Sequence, residues 1–273
     1  MKLLFFTVFA IFALAHGAAR AEVAIAPLRQ VLDNEARKAH FVVSNPTSRI
    51  LEARISWIDL AAVETGYAPA SPDLRSVLSA APYFEVSPAY FRLEPGARTE
   101  IVIRLRKNAK PPRGERRSHL LIETGAPRTL IRKTSNTGLQ ADMSAGVSVP
   151  VILRGKGAAA AELGETRLLR DNDGMLLLST RLHAQGDHSA YGRLSAAFEP
   201  QDRLGGNTKN LLSERENVAV FPDGPERKID LPLGYFSLGA GKLTLRYEGL
   251  GEYAGTVFAE RKFDVAAPEN DEP

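Results

Sequence analysis

Charged residues inside β-strand patterns are the main chemical feature of this sequence. Segments in which apolar and polar residues alternate are typical of half-buried strands, where a charge needs a partner. A carboxylate between guanidinium groups can remain partly buried because bidentate hydrogen bonds offset desolvation. Ion pairing and anion binding are therefore the chemistry to expect. The residues concerned are Arg29, Arg104, Glu115 and Arg154.

Other reactive side chains do not form a catalytic or metal-binding pattern. His183 and His188 lie across a predicted turn without a third ligand, so solvated histidines are favoured over a metal site. The segment 239–242 (Gly-Ala-Gly-Lys) lacks the serine or threonine that completes a phosphate loop. No G-x-S-x-G motif occurs, and the absence of cysteine excludes thiolate sites and disulfides. We expect no enzyme, cofactor or metal.

The first 21 residues have the form of an export signal. Lys2 precedes an apolar run from Leu3 to Leu14, and the segment 19–21 (Ala-Arg-Ala) is a small-x-small cleavage site. The run is shorter than the roughly 20 residues of a membrane-spanning helix. We expect a soluble exported protein cleaved after Ala21.

The mature chain is nearly neutral. Without Lys2 and Arg20, the 35 basic residues become 33 against 32 acidic residues. A basic cluster without interleaved aromatic residues is therefore interpreted as solvated charge rather than as a nucleic-acid site. The cluster consists of Arg116, Arg117, Arg128, Arg132 and Lys133.

Strands must position the charged residues. Pro88 to Arg106 contains two alternating segments around Glu94-Pro95-Gly96, the residues of a type II turn, and is predicted to form a hairpin. Residues 61–81 are predicted to be a loop with a helical turn at 73–78, and 125–138 a long exposed loop. Leu139 to Val151 alternates over thirteen positions, longer than a usual strand.

Repeated short strands without long amphipathic helices predict an all-β chain. About 250 mature residues exceed the roughly 100 that one sandwich needs, which suggests two domains or one large barrel, and the two successive strand series are typical of two sandwiches. The predicted boundaries are a domain at 22–154, a linker at 155–165, a second domain at 166–265 and an acidic tail at 266–273.

Several motifs in order resemble the PapD-type periplasmic chaperones that assemble pilus subunits. The resemblance covers roughly Val23 to Arg154, and RLEPGA before I-x-I-R-L is its most specific part. The other motifs are R-x-V-L-D-N at 29–34, V-V-S-N at 42–45, G-E-R-x-S at 114–118 and S-V-P-V-I-L-R at 148–154.

The resemblance implies two immunoglobulin-like sandwiches at an angle with a cleft between them. It implies that Arg104, Glu115 and Arg154 form an interdomain salt bridge. It also implies that Arg29 binds the C-terminal carboxylate of a pilus subunit. The second cleft cation of that family, a lysine, falls on Pro150, which cannot donate a hydrogen bond.

The implied function is donation of a β-strand to an incomplete pilus subunit without ATP, in the periplasm and together with an outer-membrane usher. Alternate side chains of the donor strand would enter the subunit groove. Two alternatives remain: a pilus or adhesin subunit, which would carry an N-terminal donor extension, and a two-domain binding module, which would need clustered aromatic residues. The donor residues are Leu139, Ala141, Met143, Ala145, Val147 and Val149, with Leu139, Met143 and Val147 as the main knobs.

Overall fold

The computed structural model describes residues 23–125, 145–201, 210–224, 226–235 and 238–266. Within these ranges the chain forms two β-sandwiches in sequence, which confirms the predicted all-β fold class. The predicted export signal, the acidic tail beyond residue 266 and most of the predicted 125–138 loop lie outside the described residues.

The first domain packs a four-stranded sheet, in the order β1-β3-β9-β7, on a five-stranded sheet, in the order β2-β11-β10-β4-β8. A separate hairpin, β5-β6, and one short helix, α1, accompany them. The elements are β1 (Ala24–Ala26), β2 (Gln30–Leu32), β3 (Lys38–Ser44), β4 (Leu51–Ile58), β5 (Leu60–Val63), β6 (Gly66–Pro69), α1 (Pro72–Leu78), a 3-10 turn (Ala81–Tyr83), β7 (Phe84–Ser87), β8 (Tyr90–Leu93), β9 (Arg98–Leu105), β10 (Glu115–Gly125) and β11 (Ala145–Arg154).

Alternation along the strands builds the first core. In β9, Ile101 and Ile103 are fully buried and Leu105 nearly so, whereas Arg104 between them is exposed. Successive side chains of a strand point to opposite faces, so one face of each sheet supplies the core. Val151 and Leu153 of β11 enter the same core from the opposite sheet.

The prediction that 88–106 forms a hairpin is wrong. β8 pairs with β4 in the five-stranded sheet, whereas β9 pairs with β3 and β7 in the four-stranded sheet. The turn itself forms as predicted: Gly96 has a φ of 73° and the Ala97 amide donates to the Glu94 carbonyl. It carries the chain from one sheet to the other because both flanking segments bury a face in the shared core.

The predicted loop at 61–81 is also partly structured. β5 and β6 pair between Leu60 and Pro69, a short hairpin that the prolines concealed. The predicted helical turn is confirmed as α1, which begins after Ser71, whose side-chain oxygen accepts from the Leu74 amide.

The second domain begins earlier than predicted. Ala161 and Leu163, assigned to the linker, belong to β12 and are buried in the second core. Two sheets, in the orders β12-β13-β16 and β15-β14-β17-β18, enclose this core. The strands are β12 (Ala161–Arg170), β13 (Leu176–Ala184), β14 (Ala190–Pro200), β15 (Asn210–Val220), β16 (Arg227–Gly234), β17 (Gly241–Gly249) and β18 (Val257–Val265), with a 3-10 turn at Gly251–Tyr253.

The two sandwiches share a third apolar cluster. Ile152 of the first domain packs with Ala219 and Phe221 of the second, and all three are buried. The connection between the domains, 155–160, is equally close-packed. A Cβ at Gly155 would lie 1.6 Å from the Pro112 carbonyl oxygen, so only glycine fits there.

Candidate functional site

The domain junction contains a buried ion pair. Glu115 at the start of β10 lies opposite Arg154 at the end of β11, and Arg154 Nε donates to Glu115 Oε2 at 3.0 Å. Their side chains are 4% and 8% exposed. The same carboxylate oxygen accepts from the backbone N–H and the hydroxyl of Ser189, at 3.0 and 2.9 Å. Because Ser189 belongs to the second domain, the pair joins the two sandwiches.

Glu252, in the turn after β17, extends this network. Its Oε1 accepts from Arg154 Nη1 at 2.8 Å and from Arg29 Nη1 at 2.6 Å. The order across the junction is therefore Glu115, Arg154, Glu252 and Arg29, in which two carboxylates alternate with two guanidinium groups. Each charge has an opposite neighbour, which is the arrangement that a buried network requires.

The ionised groups of this network shift each other's pKa values. Burial alone would raise the pKa of Glu252, but the charge and hydrogen bond of Arg29, with help from Arg154, lower it below its ordinary value. Burial would lower the pKa of Arg154, but Glu115, Tyr253 and Glu252 raise it. The network therefore stabilises its own ionised state.

Arg104 does not lie in this network, which corrects the predicted three-residue bridge. It is exposed in β9 of the four-stranded sheet, opposite Lys38 and Glu85 on the flanking strands, whereas Glu115 and Arg154 belong to the five-stranded sheet. The member contributed by the second domain is Glu252, whose position in a G-E-Y turn carried no strand-pattern signal.

A second bridge links the domains through Arg117, which sequence reasoning assigned to solvated charge. Arg117 is 1% exposed and donates two parallel hydrogen bonds to Asp223, at 3.0 and 2.9 Å. Its guanidinium also donates to the Leu60 carbonyl and lies 3.8 Å from the Phe221 ring centroid. Arg117 shares a strand face with Glu115 two residues earlier, and that period of two was the available signal.

Arg29 lies just before β2 at the domain junction. Its side chain is 6% exposed, its guanidinium carbon is 4.5 Å from the centroid of the Tyr191 ring, and Nη2 donates to Ser189 Oγ at 3.4 Å. A cavity of about 480 Å³ opens beside it, lined also by Leu28, Asn217 and Leu250. The predicted binding arginine is thus an inward-facing cation whose charge is balanced by Glu252.

The predicted donor strand is described only in its second half. Leu139, Ala141 and Met143 lie outside the described residues, and Ala145 is the first residue of β11. Val147 is half-buried against the first core. Val149 is 3% exposed within that core, so the prediction that it contacts a partner is wrong, because its side chain already fills a site inside the sandwich.

β11 has an incompletely paired edge. β10 pairs with it along its whole length, from Ala145 to Arg154. On the other side β2 pairs only with residues 151–153, and no other described strand covers 145–150. The unpaired stretch presents backbone groups that an additional strand can bind.

Among the described residues no group of three or more histidines, acids or cysteines is placed to hold a metal ion. The described part of the chain also contains no helix that is long and apolar enough to cross a membrane.

No protein-family model matches the sequence, and no curated protein matches it. Solved structures do match. The Pseudomonas aeruginosa CupB2 chaperone is 14% identical with a TM-score of 0.43, covering 90% of this chain and 100% of that chain. A structure of the Salmonella enterica SafA pilin with the SafB chaperone is 16% identical with a TM-score of 0.43, covering 91% and 98%. The E. coli chaperone DraB is 14% identical with a TM-score of 0.42, covering 90% and 96%.

Proposed function

We propose that this protein is a periplasmic chaperone that captures pilus subunits by strand donation and passes them on for assembly. The observation that carries the proposal is the edge of β11, where residues 145–150 pair with β10 on one side and with no described strand on the other. A client chain that lacks a strand can complete its sheet along this edge. The motif resemblance of the first domain specifies the client class, and an outer-membrane usher would be the receiving partner.

The donor side chains are Leu139, Ala141, Met143, Ala145 and Val147, since Val149 belongs to the first core. Buried at about 25 cal/mol per Å², a leucine or methionine contributes roughly 1.5 to 3 kcal/mol, and an alanine contributes less. Leu139, Met143 and Val147 therefore supply most of the apolar contact. The small side chains of the alanines allow the client chain to approach closely.

Arg29 would receive the client's C-terminal carboxylate. The position of the guanidinium beside a cavity of about 480 Å³ supports this role. Because Glu252 already lies 2.6 Å from Arg29, an incoming carboxylate would exchange with Glu252 rather than meet a free cation. That exchange makes capture weaker and easier to reverse, as transfer to the next subunit requires.

The test compares the wild-type chain with the double variant Leu139→Asp/Met143→Asp. The tagged protein is produced with candidate fimbrial subunits, purified from the periplasm, and the co-purifying subunit is identified by mass spectrometry. The double variant should fold and lose the subunit, whereas Ser148→Asp, an exposed position on the other face of β11, should retain it. Equal subunit recovery with the double variant would overturn the donor-strand assignment.

The two alternatives have less support. A pilus subunit needs one incomplete sandwich, whereas two strand series each enclose a core here. A glycan- or ligand-binding module needs exposed clustered aromatic rings, whereas Trp57 packs on the first core with its ring 5.7 Å from that of Phe84.

A further inference from the structure

One buried histidine at the junction has no role in either interdomain bridge. His119 of β10 is 2% exposed, and neither of its ring nitrogens has a hydrogen-bond partner among the described residues. Buried polar groups are nearly always hydrogen-bonded, so an imidazole with two unpartnered nitrogens needs an explanation. Its neighbours on the same face, Glu115 and Arg117, both form hydrogen bonds across the junction.

The strand register places His119 in one row with Arg29. His119 lies opposite Pro150 of β11, and extending the parallel register one residue beyond the pairing of Val151 with Gln30 brings Arg29 level with Pro150 on the other side. Residues level with each other in a sheet share a face, and two strand spacings amount to about 10 Å. We therefore infer that Arg29 and His119 flank Pro150 on the junction side of the five-stranded sheet.

This row lies where the unpaired edge of β11 begins. Pairing with β2 starts at Val151, so a strand added along 145–150 ends beside Pro150. Pro150 has no backbone N–H to offer the end of that strand. The neighbouring nitrogens that remain without partners among the described residues are Arg29 Nε, the two ring nitrogens of His119 and Arg117 Nε, whose guanidinium is already paired with Asp223.

We propose that His119 is the second hydrogen-bonding residue of the Arg29 site, and that the two side chains together receive a terminal carboxylate above Pro150. The inference rests on the proposed function and adds a residue to its binding site. His119 contributes a hydrogen bond without a charge, so the positive charge that the carboxylate meets is that of Arg29 after Glu252 has been exchanged.

The ring of Tyr67 covers His119 edge-on, with centroids 4.9 Å apart. Tyr67 belongs to the two-stranded β5–β6 hairpin and is 39% exposed. The proposal requires this ring, which also packs against Phe221 and Arg117, to turn aside when the carboxylate binds His119.

The test is a titration of the ¹⁵N-labelled full chain with N-acetyl-phenylalanine, with its amide as the control ligand. The acid should shift the ring nitrogens of His119 and the Nε of Arg29, whereas the amide should not. His40, exposed on the four-stranded sheet, is the control nucleus within the molecule. A shift at Arg29 without one at His119 overturns this inference and leaves the proposed function standing. Shifts at neither residue overturn the carboxylate site as a whole, and a shift at His119 alone overturns the pairing with Arg29.

A variant provides the second readout. His119→Leu should weaken acid binding about tenfold, the loss expected for one hydrogen bond to a charged group, and leave binding of the amide unchanged. His119→Gln, which keeps a donor, should restore most of the affinity for the acid. An unchanged acid-to-amide ratio in His119→Leu would assign His119 to packing alone. The titration of the wild-type chain decides the question if the variant does not fold.

Discussion

Arg117 of the first sandwich holds Asp223 of the second through two parallel hydrogen bonds, at 3.0 and 2.9 Å. The guanidinium is 1% exposed and stacks on Phe221, so this contact lies in the shared apolar cluster rather than at its rim. Together with the network around Arg154, it attaches the two domains at separate points of the junction.

Removal of Asp223 should destabilise the protein strongly. Asp223→Ala leaves a buried guanidinium without its counter-charge, which typically costs about 3 to 5 kcal/mol. Urea unfolding measures the loss. The matched control is Asp230→Ala, whose side chain is 43% exposed and which should change stability by less than about 1 kcal/mol. Equal stability of the two variants would mean that Arg117 finds another partner.

Arg104 should have no part in holding the domains together. Arg104→Ala should leave the solution scattering profile unchanged because the residue is exposed on the outer face of β9. Glu115→Ala should loosen the interdomain angle and so change the scattering profile, because Arg154 then loses the carboxylate 3.0 Å away. A change in the Arg104 variant equal to that in the Glu115 variant would contradict the placement of these residues.

The contribution of Glu252 should disappear in acid. Its pKa is lowered in the folded protein from an ordinary value of 4.5, so its stabilisation is present above about pH 4.5 and is lost as pH falls through the folded value. The wild type should exceed Glu252→Gln by about 1 kcal/mol at pH 7, allowing for solvent screening. Unfolding curves from pH 7 to pH 3 should show this difference shrink. A difference that does not vary with pH would assign it to packing.

His119 should destabilise the protein as pH falls. Burial, reinforced by the charge of Arg117, lowers its pKa from 6.5 to about 3, although Asp223 opposes the shift. Between these values the unfolded chain binds a proton that the folded chain does not, so stability falls by up to about 1.4 kcal/mol per pH unit. His119→Leu should remove this part of the slope in denaturant titrations. An identical slope in variant and wild type would show that the ring binds its proton equally well in the folded and unfolded chain.

Substitutions at Val147 and Val149 should distinguish a loss of client capture from a loss of folding. Val149→Asp places a carboxylate in the first core, where the side chain is 3% exposed. The substitution should lower the free energy of unfolding by about 4 kcal/mol or more, enough to unfold that domain. Val147→Asp, at a half-buried position on the same face, should remain folded and lose the client. Circular dichroism and co-purification together distinguish the two effects. A folded Val149 variant would contradict its assignment to the core.

Sequence patterns predicted what depends on local periodicity. Alternation identified strands in both domains, although it missed β5, β6 and the start of β12, and Pro95-Gly96 identified a turn. Pairing partners were not predictable in the same way. The turn joins two sheets instead of two paired strands because both segments bury a face in one core, a tertiary effect that no local signal contains.

Part of the candidate site was predictable from strand patterns, although Arg117, which lies in β10, was assigned to solvated charge. Glu115, Arg154 and Arg29 stood out because a charge interrupts an apolar pattern. Glu252 and Asp223 lie in turns, where acidic residues are ordinary, so their pairing depends on a long-range approach. Those two residues were found only once the domains were placed against each other.

The third cluster, in which Ile152 of one sandwich packs with Ala219 and Phe221 of the other, buries apolar surface of both domains. Neither sandwich can unfold without exposing apolar surface that belongs to both. We therefore expect one cooperative calorimetric transition, and each domain produced alone should be less stable than it is within the whole chain.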